Sequence, residues 1–158
     1  MRSAFTQDGF YPFEGPATID LSLIPLSIRY KLDRAEIKLH LTQWQKISLD
    51  DRQRLLDTPC GTAAEITGYR ALLLELIERY FSAPPTSHPL TTDEPWADSS
   101  RWPQVVIEQS EKQSTALPPV GRWQALSEMD RHALFVLGRS KHAHEEFIAA
   151  MTLFFKDA

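Results

Sequence analysis

From Leu21 onward the apolar positions fall at 21, 24, 28, 32 and 35, a spacing that predicts a helix. Pro25 stands early in that run, where a first helical turn tolerates a missing donor. Ile37-Lys38-Leu39-His40-Leu41 alternates apolar and polar residues, which reads as either a short strand or an extended linker. Ser48 followed by Asp51, and Thr62 followed by Glu65, place a hydroxyl three residues ahead of an acid, the capping-box signature of a helix start. Behind the second start, Ile66, Tyr69, Leu72, Leu73, Leu76, Ile77, Tyr80 and Phe81 form a wide apolar stripe. A short helix is expected from Pro103 to about Gln113, another from near Ser127, and a last one from about His142.

The pattern predicts a mainly α, single helical domain over residues 1–158, with five or six helices arranged as two related helix pairs. Its expected parts are an irregular aromatic N-terminal arm at 1–20, a first helical half at 21–82, a Pro/Trp loop at 84–103 and a second helical half at 104–158. The arm holds Phe5, Phe10, Tyr11 and Phe13 among turn residues. The loop holds five of the eleven prolines, with Trp96 and Trp102, whose size argues that parts of it are pinned to the body.

The two halves are related in sequence. At an offset of 79, residues 44–56 (WQKISLDDRQRLL) lie over 123–135 (WQALSEMDRHALF). Trp44/Trp123, Gln45/Gln124, Ser48/Ser127, Asp51/Asp130, Arg52/Arg131 and Leu55/Leu134 are identical pairs, and a second amphipathic helix follows each copy. The arginines are the unexpected members. A cation in the first turn opposes the helix dipole, so each needs a partner: a structural carboxylate or carbonyl, or an anion held by both arginines in a shared groove.

Composition narrows the function classes. The chain has 17 Lys+Arg against 21 Asp+Glu, a net charge of -4, and no basic footprint for nucleic acid. No run approaches a membrane span, because Arg70, Glu75, Glu78 and Arg79 interrupt the most apolar segment. The N-terminus has no apolar leader, so a cytoplasmic location is expected. One cysteine, Cys60, excludes an intrachain disulfide and argues against a multi-cysteine zinc site. No Gly-rich phosphate loop occurs.

Catalytic residues, metal ligands and cofactors are not expected. His142 and Glu146 have the spacing to share a metal on a helix, but a solvated polar face is the ordinary reading of His142-Ala143-His144-Glu145-Glu146. Cys60 precedes a helix start, where a thiol can be activated, yet no partner base surrounds it in sequence. The candidate binding residues are Arg29, Lys31 and Lys38, which with Arg34 form a basic cluster, and the repeated Arg52 and Arg131.

Phe13-Glu14, Ile24-Pro25, Arg29, Lys31-Leu32-Asp33, Ile37-Lys38-Leu39, Trp44, Arg52 and Pro59-Cys60 together resemble the nitrate reductase-associated protein family. So do Trp123, Arg131, Leu134, Lys141-His142 and Phe147 near the other end. Many members carry Cys-Gly ahead of Ile-Lys, where this chain has Ala35-Glu36. These are small bacterial and cyanobacterial proteins encoded near nitrate assimilation and molybdenum-cofactor genes. The resemblance implies a pathway and no reaction. It points to a non-catalytic accessory protein that assists maturation or regulation of a molybdenum-dependent nitrate reductase, with the reductase or a molybdenum-cofactor protein as partner. The partner surface would be the Arg29/Lys31/Lys38 face and the loop 84–103. The alternative is a module that binds or senses a small oxyanion through Arg52 and Arg131.

Overall fold

The structure, a computed structural model, describes residues 8–156. The expected start of the arm, including Phe5, lies outside the described residues. The fold is mainly helical, with nine helices and one two-stranded sheet among the described residues. Six helices have nine or more residues, and the other three are short. The chain divides into two compact units: Glu14–Thr91, and the segment ending at Phe13 together with the chain from Thr92 on. The N-terminal arm is thus shared out, with Phe10, Tyr11 and Phe13 belonging to the second unit and Glu14 onward to the first.

The first unit runs α1 (Pro16–Ile19), α2 (Leu26–Arg34), β1 (Ile37–Lys38), α3 (Leu41–Lys46), α4 (Leu49–Asp57), α5 (Ala63–Tyr80) and β2 (Thr86–Ser87). Helical apolar spacing begins at Leu21, but α2 starts at Leu26. Leu21 adopts φ 67, and Pro25 is extended at ψ 154, so neither continues a helix. The buried Glu14 carboxylate accepts from the Leu26 N–H at 3.1 Å, supplying the cap that Pro25 has no side chain to provide. Ser48 and Thr62 accept from the N–H groups of Asp51 and Glu65, and Glu65 answers to the Thr62 N–H, completing a capping box. The Ile37 segment is a strand: Ile37 pairs with Ser87 and Lys38 with Thr86, antiparallel. Its partner lies in the Pro-rich loop, where sequence alone shows no strand pattern. Helix α2 packs on α4 and α5, burying Ile28, Leu55, Tyr69, Leu73 and Leu76.

The second unit contains α6 (Gln104–Lys112), α7 (Val120–Gln124), α8 (Glu128–Arg139) and α9 (His144–Phe155). Helix α8 packs on both α6 and α9. Each of these helices begins 78 to 81 residues after one in the first unit: α6 begins at 104 and α2 at 26, α7 at 120 and α3 at 41, α8 at 128 and α4 at 49, α9 at 144 and α5 at 63. The duplication therefore extends over four helices in each unit, beyond the thirteen-residue match.

Two glycines have opposite surroundings. A Cβ on Gly138 would meet Val106 Cγ2 at 3.1 Å and Val106 Cα and N at 3.3 Å, so α6 and α8 are in backbone contact there. A Cβ on Gly68 in α5 would meet nothing within 4 Å. Gly138→Val is expected to cost about 1–3 kcal/mol through overpacking, and Gly68→Ala to add about 0.5–1 kcal/mol by raising helix propensity. Urea unfolding of both variants checks the pair. A third test concerns Glu36, which holds φ 60 while its carboxylate accepts from the Leu90 N–H at 3.0 Å. Glu36→Ala keeps the strained backbone and loses that bond, whereas Glu36→Gly loses the bond but relieves the strain. The glycine variant is expected to be the more stable of the two by about 1 kcal/mol.

Candidate functional site

The repeated residues build the same local device in both units. In the first, Trp44 on α3 is fully buried, and its Nε1 donates to the Leu21 carbonyl at 2.8 Å. The Arg52 guanidinium lies 5.9 Å from the Trp44 ring centroid and donates to the carbonyls of Ile47 (2.8 Å), Leu21 (3.1 Å) and Gln45 (2.7 Å). In the second, Trp123 on α7 is equally buried and donates to the Asp98 carbonyl at 3.0 Å. Arg131 lies 6.0 Å from the Trp123 ring centroid and donates to the carbonyls of Leu126 (2.7 Å) and Trp96 (3.1 Å). Ile47 and Leu126 are equivalent at the offset of 79. Each first-turn cation is thus compensated by carbonyl oxygens of its own unit.

The acid beside each arginine also has a repeated role. Ser48 and Ser127 cap the helices by accepting from Asp51 and Asp130 N–H. The Asp51 carboxylate accepts from the Tyr80 hydroxyl at 2.6 Å and from Arg54 at 3.0 Å, which together hold it below the usual carboxylate range. Asp130 accepts from the Tyr11 hydroxyl at 2.6 Å. A phenol fills the same role in both units, from the end of α5 in one and from the N-terminal segment in the other. Tyr11 is further held by Phe13, stacked at 5.2 Å, and by Phe154, edge-on at 5.7 Å.

The basic cluster of α2 divides by what each cation touches. Lys31 is half-buried, with its ammonium donating to the Leu56 and Thr58 carbonyls, both at 2.7 Å, at the C-terminal end of α4. Burial pulls Lys31 below its ordinary pKa. Arg34 bridges the Tyr30 hydroxyl (2.7 Å) and the Gly61 carbonyl (2.9 Å). Arg70 on α5 donates to the Ala35 carbonyl and closes the end of α2. Arg29 and Lys38 are the exposed members. Sequence reading places these cations on one basic face, but it cannot see the carbonyls, at the end of α4 and at Gly61, that draw Lys31 and Arg34 inward.

Cys60 is buried, its thiol directed at the Lys31 carbonyl at 3.9 Å, and burial raises its pKa. A low-pKa nucleophile needs the reverse environment. His142 precedes α9, which begins at His144, so His142 and Glu146 do not share a helical face as their spacing suggests. The Ser140 hydroxyl accepts from the His142 and Ala143 N–H groups and ends the helical continuity there. No group of three or more His, Cys, Asp or Glu side chains is placed to hold a metal among the described residues, and no described helix is long and apolar enough to cross a membrane. In the Pro/Trp loop, Trp96 is buried edge-on to His132 at 5.1 Å, and Trp102 lies 5.3 Å from Trp123 and 5.7 Å from Phe155. Both tryptophans pin the part of the loop from Thr92 on within the second unit.

Among known proteins, a family model described as conserved nitrate reductase-associated protein matches residues 10–154, nearly the whole chain. No curated protein and no solved structure matches.

Removing Arg131 leaves two carbonyls without their donor, at about 1–3 kcal/mol for each buried group. Arg131→Ala is therefore expected to lose about 2–4 kcal/mol, and Arg131→Lys to recover little because an ammonium lacks the guanidinium fork. Arg52→Ala should cost less, since Arg52 is only half-buried and water can reach its carbonyls. Denaturant midpoints rank the three variants. The lowered Asp51 pKa contributes stability above the unfolded carboxylate value, near 3.9, and that contribution disappears as pH falls through the folded value. Tyr80→Phe removes the main cause of the shift, so its stability should decline less steeply than wild type below about pH 5. Thermal melts from pH 6 to pH 2.5 check this.

Proposed function

Because the chain belongs to the conserved nitrate reductase-associated protein family, we propose that it is a non-catalytic accessory protein that assists maturation or regulation of a molybdenum-dependent nitrate reductase. The family membership carries this reading. The side-chain chemistry supports it: Lys31, Arg34, Arg52, Arg70 and Arg131 serve the protein's own carbonyls, and Cys60 is buried with a raised pKa. What the first unit offers a macromolecule is exposed charge at Arg29 and Lys38 together with exposed apolar side chains, Ile19 and Leu49 above all. In this reading the reductase, or a protein of its cofactor assembly, docks on that unit, and Lys31 and Arg52 hold the fold of that unit. Oxyanion binding by Arg52 and Arg131 is less well supported, since their N–H groups already meet carbonyls.

The test is affinity capture with the tagged full-length chain from cells grown on nitrate. Nitrate reductase or a molybdenum-cofactor protein is expected among the enriched partners. The double variant Arg29→Glu/Lys38→Glu should recover several-fold less while melting as wild type does. Capture of neither class of protein overturns the proposal.

A further inference from the structure

Among the described residues, Lys112, Arg139 and Lys141 make no ion pair or hydrogen bond within the protein, and all three line one surface depression of the second unit with His144. The depression has a volume of about 440 Å³ and is formed by α6, the end of α8 and the start of α9. Gly138, whose backbone lies close to Val106, is among its lining residues. Glu108 is the one carboxylate in the lining, so three fixed cations against one anion leave a net charge of +2 before His144 is counted. The Arg139 guanidinium is seated 5.0 Å from the Phe135 ring centroid, which limits the freedom it would lose on binding a ligand.

The comparison between units shows that these cations are not part of the shared scaffold. At the offset of 79, the positions of Lys112, Arg139, Lys141 and His144 correspond to Asp33, Cys60, Thr62 and Glu65. None of those four is basic, and two are acidic. The first unit instead closes its turn from within, with Arg34 on the Gly61 carbonyl. The equivalent carbonyl in the second unit, that of Ser140, is met by the neutral Gln109 amide at 3.3 Å. The second unit thus satisfies its turn without a cation, while three cations remain around the depression. The α9 end alone would not argue for an anion, because Glu145 and Glu146 already complement its dipole.

We propose that this depression is an anion site selective for a divalent tetrahedral oxyanion group, either a free ion such as phosphate or the terminal phosphate of a small metabolite. A charge of +2 matches a dianion, and separate N–H donors on Lys112, Arg139 and Lys141 suit several oxygens at once. A singly charged planar anion such as nitrate uses less of that charge.

The experiment is calorimetric titration of the full chain with inorganic phosphate, glycerol 3-phosphate and nitrate at constant ionic strength. One site is expected, with phosphate or its ester binding at least tenfold tighter than nitrate. Tighter binding of the ester identifies a phosphorylated metabolite as the ligand class, and tighter binding of phosphate identifies the free ion. Arg139→Gln/Lys141→Gln should weaken the preferred ligand at least tenfold with an unchanged ligand-free melt, and Lys46→Gln on α3 should leave binding intact. If the double variant melts early, Lys112→Gln alone provides the same readout with a smaller loss. No saturable binding, equal affinity for nitrate, or wild-type affinity in a folded variant overturns the proposal.

Discussion

In each unit a guanidinium lies against a tryptophan ring and takes the carbonyls of the chain leading into its helix. This arrangement determines where that chain turns. In the first unit Trp44 and Arg52 converge on one oxygen, that of Leu21. Leu21 holds a left-handed backbone conformation, which an L residue maintains only when its surroundings over-determine it. Two donors on its carbonyl provide that constraint. In the second unit the load is divided, with Trp123 on Asp98 and Arg131 on Trp96, and the Pro-rich segment is fastened as a result. The arginine opposes the helix dipole at this position. Carbonyl oxygens and the π face outweigh that penalty because they lie within direct contact, whereas the dipole term is spread over a turn and screened.

The same logic explains why Lys31, Arg34, Arg52 and Arg70 are drawn onto carbonyls of the first unit. Helix ends leave carbonyls without intrahelical partners, and here long cationic side chains reach across to them: Lys31 to α4, Arg70 to α2. Family membership links the protein to nitrate reductase, and the chemistry left on the surface, exposed charge with exposed leucine and isoleucine, is of the kind used in protein recognition. Lys112, Arg139 and Lys141 of the second unit differ in kind, because the scaffold does not require them.

Several features were legible from residue spacing because their physics is local. Both serine caps, the Thr62 capping box and the long α5 stripe depend on groups three or four residues apart. The matched Trp, Ser, Asp, Arg and Leu pairs signalled a duplicated unit, and the hydrogen bonds repeat as those residues do. Local spacing failed where the partner was distant. Helix α2 begins late because Leu21 and Pro25 depart from helical geometry, and β1 is a strand only because Thr86 and Ser87 come to pair with it. Glu36 is a further case: its positive φ is one that glycine adopts readily, while here a glutamate occupies it and ties down Leu90 through its carboxylate.

The order and type of the main helices, their caps and the relation between the halves were determined by the amino-acid sequence, since all of these follow from spacing along one chain. The tertiary structure alone decided which cation serves which carbonyl. Lys31 and Arg29 look alike in sequence, yet one is drawn under α4 and the other stays exposed. It also decided that Tyr11 and Tyr80 perform the same task on Asp130 and Asp51. A hydrogen bond of 2.6 Å spanning 119 residues depends on packing that brings its ends together, and no periodicity in the chain encodes such a distance.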